Sequence, residues 1–280
     1  MRISMIKKEA KELLRGLNQK YLLFVVPIIL SIFYYGISIH ESIATSNGID
    51  VPISASSFPL LILGILTIFG CSASFTILDV FRHKKTQVNF DDTSKAWKSP
   101  LFLKLILVLL LRLLVITLWA MIWMSGLFII IWGFLLFQQA GHQLTVSVLL
   151  VILAGVILYV LELAIVINRR YAYRMVPFIL YDHFEDNQDH KPSQILKESN
   201  ALMKHYKWKL FIFDLSFIGY FILVFLTFGF ALFYVLPYQL TAETNFYRYL
   251  NEKIIKVFAL IIFFRLIDTL DKYHRPQLEF

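Results

Sequence analysis

Four carboxylates interrupt long apolar stretches of this sequence: Asp79, Glu162, Asp214 and Glu243. Three guanidinium groups, Arg112, Arg169 and Arg170, stand at the edges of such stretches. Ionisable side chains in apolar surroundings are expensive, so chemistry is sought here first. Two kinds are open to them. Carboxylates and guanidinium groups at one depth pair between helices and set their packing. Gathered round water, the same groups make a charged pocket facing the cytoplasm. The candidate cluster is Arg112, Glu162, Arg169 and Asp214, because the helix assignment below puts all four near the cytoplasmic ends of their helices. Pairing is the preferred reading. A proton or cation relay is disfavoured, since no acid falls at the middle of an apolar run.

Other chemistries lack their residues. The seven histidines are His40, His83, His142, His183, His190, His205 and His274, and none has a metal-ligand spacing such as H-E-x-x-H. Nucleophile-elbow, phosphate-loop and dinucleotide-binding patterns are absent. Cys71 is the one cysteine, which excludes an intrachain disulfide. Gly126, Gly133, Gly141 and Gly155 do not read as a small-residue helix interface. The expectation is a protein that is not an enzyme and takes no cofactor and no metal.

The elements that carry these residues follow from composition and charge. Hydrophobic residues are 58% of the chain and charged residues 16%, against about 25% charged in a soluble domain. All 27 Lys and Arg fall within four segments, 2–20, 82–112, 169–209 and 248–275. Cytoplasmic loops collect Lys and Arg, so the segments belong on one side of a membrane. The net charge of +8 then reflects topology and attraction to anionic lipid head groups, not nucleic acid.

Residues 1–20 read as a cytoplasmic amphipathic helix at the membrane interface. Ile3, Ile6, Ala10, Leu13, Leu14 and Leu17 make one face, and Lys7, Lys8, Lys11 and Arg15 the other. No cleavage site follows the apolar run after it, so that run is expected to remain as a membrane helix. The membrane domain, 21–250, should hold six spans near 21–39, 58–80, 113–137, 144–167, 210–227 and 229–249. The third starts at 113 because Arg112 belongs at the inner boundary, its head reaching toward water. Residues 210–249 are basic at both ends, so a hairpin turning at 227–229 is required to keep both ends inside. A second interfacial helix is expected in the loop 182–209, and residues 251–280 should form an amphipathic cytoplasmic tail. The fold class is an all-α integral membrane protein: a six-helix transmembrane bundle with amphipathic interfacial helices and both termini cytoplasmic.

The stretch Ser199-Asn200-Ala201-Leu202-Met203-Lys204-His205-Tyr206-Lys207-Trp208-Lys209-Leu210-Phe211 leads into Asp214-Leu215-Ser216-Phe217-Ile218-Gly219-Tyr220. Leu226-Thr227-Phe228-Gly229 and Leu236-Pro237-Tyr238 follow. Upstream stand Tyr171, Met175, Pro177, Phe178, Ile179 and Leu180. This series resembles the bacterial membrane-protein family named domain of unknown function 975, clearly over 170–250 and more weakly over 15–135. Tyr220 stands where the family has Trp, Phe230-Ala231 where it repeats a Gly, and the fourth span lacks a Pro-Gly start. The resemblance implies a six-helix integral membrane protein of Gram-positive bacteria, with no activity or site residues attached. A looser similarity to the membrane domains of some glycerophosphodiester phosphodiesterases points to a lipid or envelope role.

The functional expectation is a non-enzymatic multi-pass protein of the cell membrane. It would serve cell-envelope or lipid homeostasis, or act as accessory subunit of a membrane complex. The alternative is a small-molecule or lipid permease using a charged pocket on the cytoplasmic side. Its partners would be membrane lipids, anionic ones at the cytoplasmic face above all, and another membrane protein in the accessory case.

Overall fold

In the computed structural model, which describes residues 2–50, 52 and 57–274, the chain is all-helical, with no strand among the described residues. The helices are α1 (Ile3–Gly16), α2 (Lys20–Ser46), α3 (Phe58–Phe81), a 3-10 helix (Phe90–Trp97), α4 (Leu101–Gln139) and α5 (Val146–Ala172). They continue with α6 (Val176–Glu185), α7 (Pro192–Leu202), α8 (Lys207–Leu215), α9 (Ile218–Leu226) and α10 (Leu232–His274). Prolines open α3, α6 and α7 in the first turn, where the missing N–H costs nothing. Between α9 and α10 the backbone enters the left-handed region at Phe228 (φ 49°) and Gly229 (φ 91°). No helix therefore runs through Gly229, the turn that the flanking charges demand.

By length and composition, five segments among the described residues could cross a membrane: Lys20–Ser46, Phe58–Phe81, Leu101–Gln139, Val146–Glu185 and Lys207–Leu226. The helix carrying Arg112 starts at Leu101, ahead of the span expected from residue 113, and its 39 residues extend about 58 Å. The tail beyond residue 250 is not an element of its own. It continues α10, a single helix of 43 residues in which the expected sixth crossing, 229–249, supplies only the first half. That half carries Glu243 and Arg248 and buries Thr241, Thr244 and Asn245, so it reads less apolar than the other five.

The chain divides into two compact units. One comprises Met1–Lys95 with Tyr220–Phe280, the other Ala96–Gly219. In the first, Leu23, Phe24 and Ile28 of α2 pack with Ala73, Ile77 and Phe81 of α3. Helix α10 packs on α1, α2 and α3. The apolar face of α1 was expected at the membrane interface, yet Ile6 and Ala10 are fully buried and α10 is its main neighbour. Glu9 anchors that contact. Its carboxylate accepts from Asn245 Nδ2 at 3.1 Å, Arg248 Nη2 at 2.8 Å and the Tyr249 hydroxyl. The Arg248 guanidinium lies 4.7 Å from the Phe81 ring centre.

In the second unit, α4 and α5 form the main pair. Here the sequence reading missed the interface. A Cβ at Gly126 would come within 2.6 Å of the Tyr159 backbone nitrogen, one at Gly133 within 2.6 Å of Ile152 Cγ1, and one at Gly155 within 2.9 Å of the Ile130 backbone nitrogen. Three glycines thus let two backbones touch, which is how helices associate when burial of apolar surface offers little gain. The seven-residue step from Gly126 to Gly133 hid this, because their partner glycine lies on the other helix. At the first turns of α4, Leu101, Leu105 and Val108 are buried, and α6 and α7 pack on this helix. Ser199 Oγ donates to the Ala172 carbonyl at 2.8 Å, satisfying one orphan acceptor at the end of α5.

Gly126→Leu should therefore separate α4 from α5 and lower stability by about 1–3 kcal/mol. Gly64→Ala, where a Cβ meets nothing within 4 Å, should be neutral or stabilising by up to about 1 kcal/mol. Unfolding of the two variants side by side in one detergent checks both. An unaffected Gly126→Leu would refute the close contact.

Candidate functional site

Of the four residues expected to cluster, Glu162, Asp214 and Arg169 each make contacts of their own. Glu162 is buried, at 6% exposure, on the face of α5 that meets α4. Its carboxylate accepts a hydrogen bond from Ser125 Oγ and one from the Gly126 backbone N–H at 3.1 Å. The glycine makes this possible, since a side chain there would shield its own N–H. The result is a carboxyl group tied to two α4 donors, which sets the register of the pair.

Asp214, on α8, is held by two residues that the sequence did not mark as its partners. Arg174 Nη1 donates to its Oδ2 at 2.8 Å, and the Tyr171 hydroxyl donates to the same oxygen at 3.0 Å. The expected partners were Arg112 and Arg169. The geometry explains the difference. Tyr171 and Arg174 are three residues apart at the turn from α5 into α6, so they project to one side, and α8 packs against α5. The legible signal was a Tyr and an Arg at helical spacing beside a helix end. The Tyr171 ring also meets Phe211 edge-on, with centroids 6.2 Å apart. Glu162 lies nine residues before Tyr171, about 13 Å along α5, so the two carboxylates serve separate ties.

Arg169 faces elsewhere. Its guanidinium stacks 4.5 Å from the ring centre of Trp119 on α4. Arg112 is half-buried on α4. In the other unit, Asp79 is buried and paired with Lys95 of the 3-10 helix, and Lys85 pairs with Asp92, so two ion pairs hold the connection after α3.

Beside Arg169 the structure opens a cavity of about 880 Å3. Its polar side is Asn168, Arg169, Lys197, Asn200, Lys204 and Lys207. Its apolar side is Leu161, Ala164, Ile165 and Ala201. Helices α5, α7 and α8 each contribute. Lys207 Nζ donates to Asn168 Oδ1 at 2.8 Å and to Asn200 Oδ1 at 3.3 Å. Of the four expected residues, Arg169 alone lines this space. No carboxylate lines it, so it suits an anion. Among the described residues, no group of three or more His, Cys, Asp or Glu side chains converges as a metal site. His183 and His190 do meet, with ring centres 4.1 Å apart, and His183 Nε2 lies 2.7 Å from Glu198 Oε2.

Residues 1–254 match the family described as Protein of unknown function (DUF975). The chain belongs to that family. The match covers all of the unit Ala96–Gly219, with the cavity and the Asp214 tie, and most of the other unit, ending within α10. No curated protein and no solved structure matches the chain.

A double-mutant cycle on Asp214→Asn and Arg174→Gln tests the tie. Each single change should cost about 1–3 kcal/mol in detergent, because each strands a partly buried group. The double variant should cost less than their sum. Strict additivity would show that the pair does not interact.

Proposed function

We propose that this chain is a multi-pass protein of the cell membrane, without catalytic activity, that serves envelope or lipid homeostasis or acts as accessory subunit of a membrane complex. The observation that carries the membrane reading is an inverted distribution of polarity. Leu113, Leu118, Phe128 and Trp132 of α4 and Leu150, Leu153, Ile157 and Leu161 of α5 are more than half exposed. Meanwhile Ser72, Thr76, Glu162, Thr241 and Asn245 are buried. Water would penalise that outer surface, whereas lipid tails solvate it at no cost.

Orientation rests on charge. The basic segments 2–20, 82–112, 169–209 and 248–275 belong in the cytoplasm, which puts both ends there. Six crossings then follow, the last being the first half of α10. The basic inner face favours anionic lipid as partner. One feature favours a second reading, a small-molecule or lipid permease: the cationic cavity in the unit Ala96–Gly219.

Single cysteines placed in a Cys71→Ser background test the topology. Asn47→Cys and His142→Cys should react with an impermeant maleimide on intact cells. Lys98→Cys and His190→Cys should react only after permeabilisation. Labelling of His190→Cys from outside would overturn the orientation.

A further inference from the structure

The cavity between α5, α7 and α8 has a chemistry more particular than a basic surface. Four cations, Arg169, Lys197, Lys204 and Lys207, line it with no acid among them. Burial, and then the like charge of Arg169, both weigh against the Lys207 ammonium, as an anion in the cavity would not. Both asparagines use their carbonyl oxygens on Lys207 Nζ. What they can offer a ligand is therefore their N–H groups. Stacking on Trp119 occupies a face of the Arg169 guanidinium and leaves its N–H edge for hydrogen bonds. Every polar group in the lining is thus a donor, and most are charged. A phosphate, with oxygens in all directions, fits such a lining.

The other wall says what carries the phosphate. Leu161 and Ile165 are 58% and 45% exposed, and they continue the apolar face formed by Leu153 and Ile157 toward the start of α5. A soluble phosphate has no use for that wall. An acyl chain does. A choline head group is disfavoured, because its cation would meet four others and no carboxylate.

We propose that this cavity is a site for one anionic phospholipid, its phosphate held by Arg169, Lys204 and Lys207 and its acyl chains lying along Leu161 and Ile165 of α5. The inference rests on the membrane reading above. It deepens that reading by naming the lipid class and the residues that select it. It gives the basic side of the Ala96–Gly219 unit a stoichiometric ligand rather than a diffuse attraction.

The full chain in a neutral detergent, titrated calorimetrically with dioctanoyl phosphatidylglycerol, dioctanoyl phosphatidylcholine and inorganic phosphate, tests it. Phosphatidylglycerol should bind saturably at one site, with the other two at least about tenfold weaker. Lys204→Glu, at an exposed position, and Arg169→Gln/Lys207→Gln should each weaken phosphatidylglycerol by about tenfold or more. Lys8→Gln/Lys98→Gln, which changes the net charge by as much, should leave it unchanged. Equal binding of phosphatidylcholine, or of phosphate alone, would overturn the assignment. So would equal losses in the control and site variants, which would mark a general charge effect. Lys204→Glu provides an answer even where the Arg169 variant fails to fold. The cysteine labelling fails separately: if topology stands and calorimetry does not, only the lipid site falls.

Discussion

A carboxylate in an apolar helix has to find its hydrogen-bond donors within the protein, because hydrocarbon offers none. That constraint organises each unit. Glu162 takes a hydroxyl and a backbone N–H from α4, and so holds two long helices in one register. Asp214 takes a guanidinium and a phenol from the turn after α5, and so fixes where α8 begins its return. Asp79 takes Lys95, and the connection between α3 and α4 folds back to deliver it. The ties come from different elements, but each has the same form: an acid on one helix and donors on a neighbour. Removing an acid would leave buried donors stranded, which explains why such positions can be essential to the fold with no chemistry to perform.

The glycines work with this constraint. In the proposed membrane setting the exposed leucines would gain nothing by leaving lipid for a helix interface, so α4 and α5 could not rely on the force that packs a soluble bundle. Close backbone contact at Gly126, Gly133 and Gly155 supplies dispersion instead. At Gly126 the two devices coincide, since the absent side chain admits both the α5 backbone and the Glu162 carboxylate.

The helical class and the family were legible in the sequence, and so was the break at Phe228 and Gly229. Runs of apolar residues bounded by cations are strong, local signals. What escaped was set by neighbours in space. The helix bounds around Arg112 were not legible: α4 begins at Leu101 and passes through it, and Leu101, Leu105 and Val108 are buried in the turns before it. Arg174 and Tyr171 were passed over for Arg112 and Arg169 as partners of Asp214, because depth along a helix was legible and azimuth was not. The cavity was invisible for the same reason. Asn168, Arg169, Asn200 and Lys207 come from three helices, and only their packing shows that both amides turn their oxygens to one ammonium.

Glu9 has a consequence for synthesis. Its partners Asn245, Arg248 and Tyr249 lie 236 to 240 residues later in the chain. Helix α1 leaves the ribosome long before α10 exists, and must wait with Ile6 and Ala10 uncovered until α10 is made. The unit Ala96–Gly219 is continuous in sequence, so its own contacts can close earlier. The waiting helix is basic and amphipathic, so in the proposed membrane setting the membrane surface would be its resting place in the interval. A truncation that removes α10 would leave α1 on that surface, an orphan for quality-control proteases rather than a folded fragment.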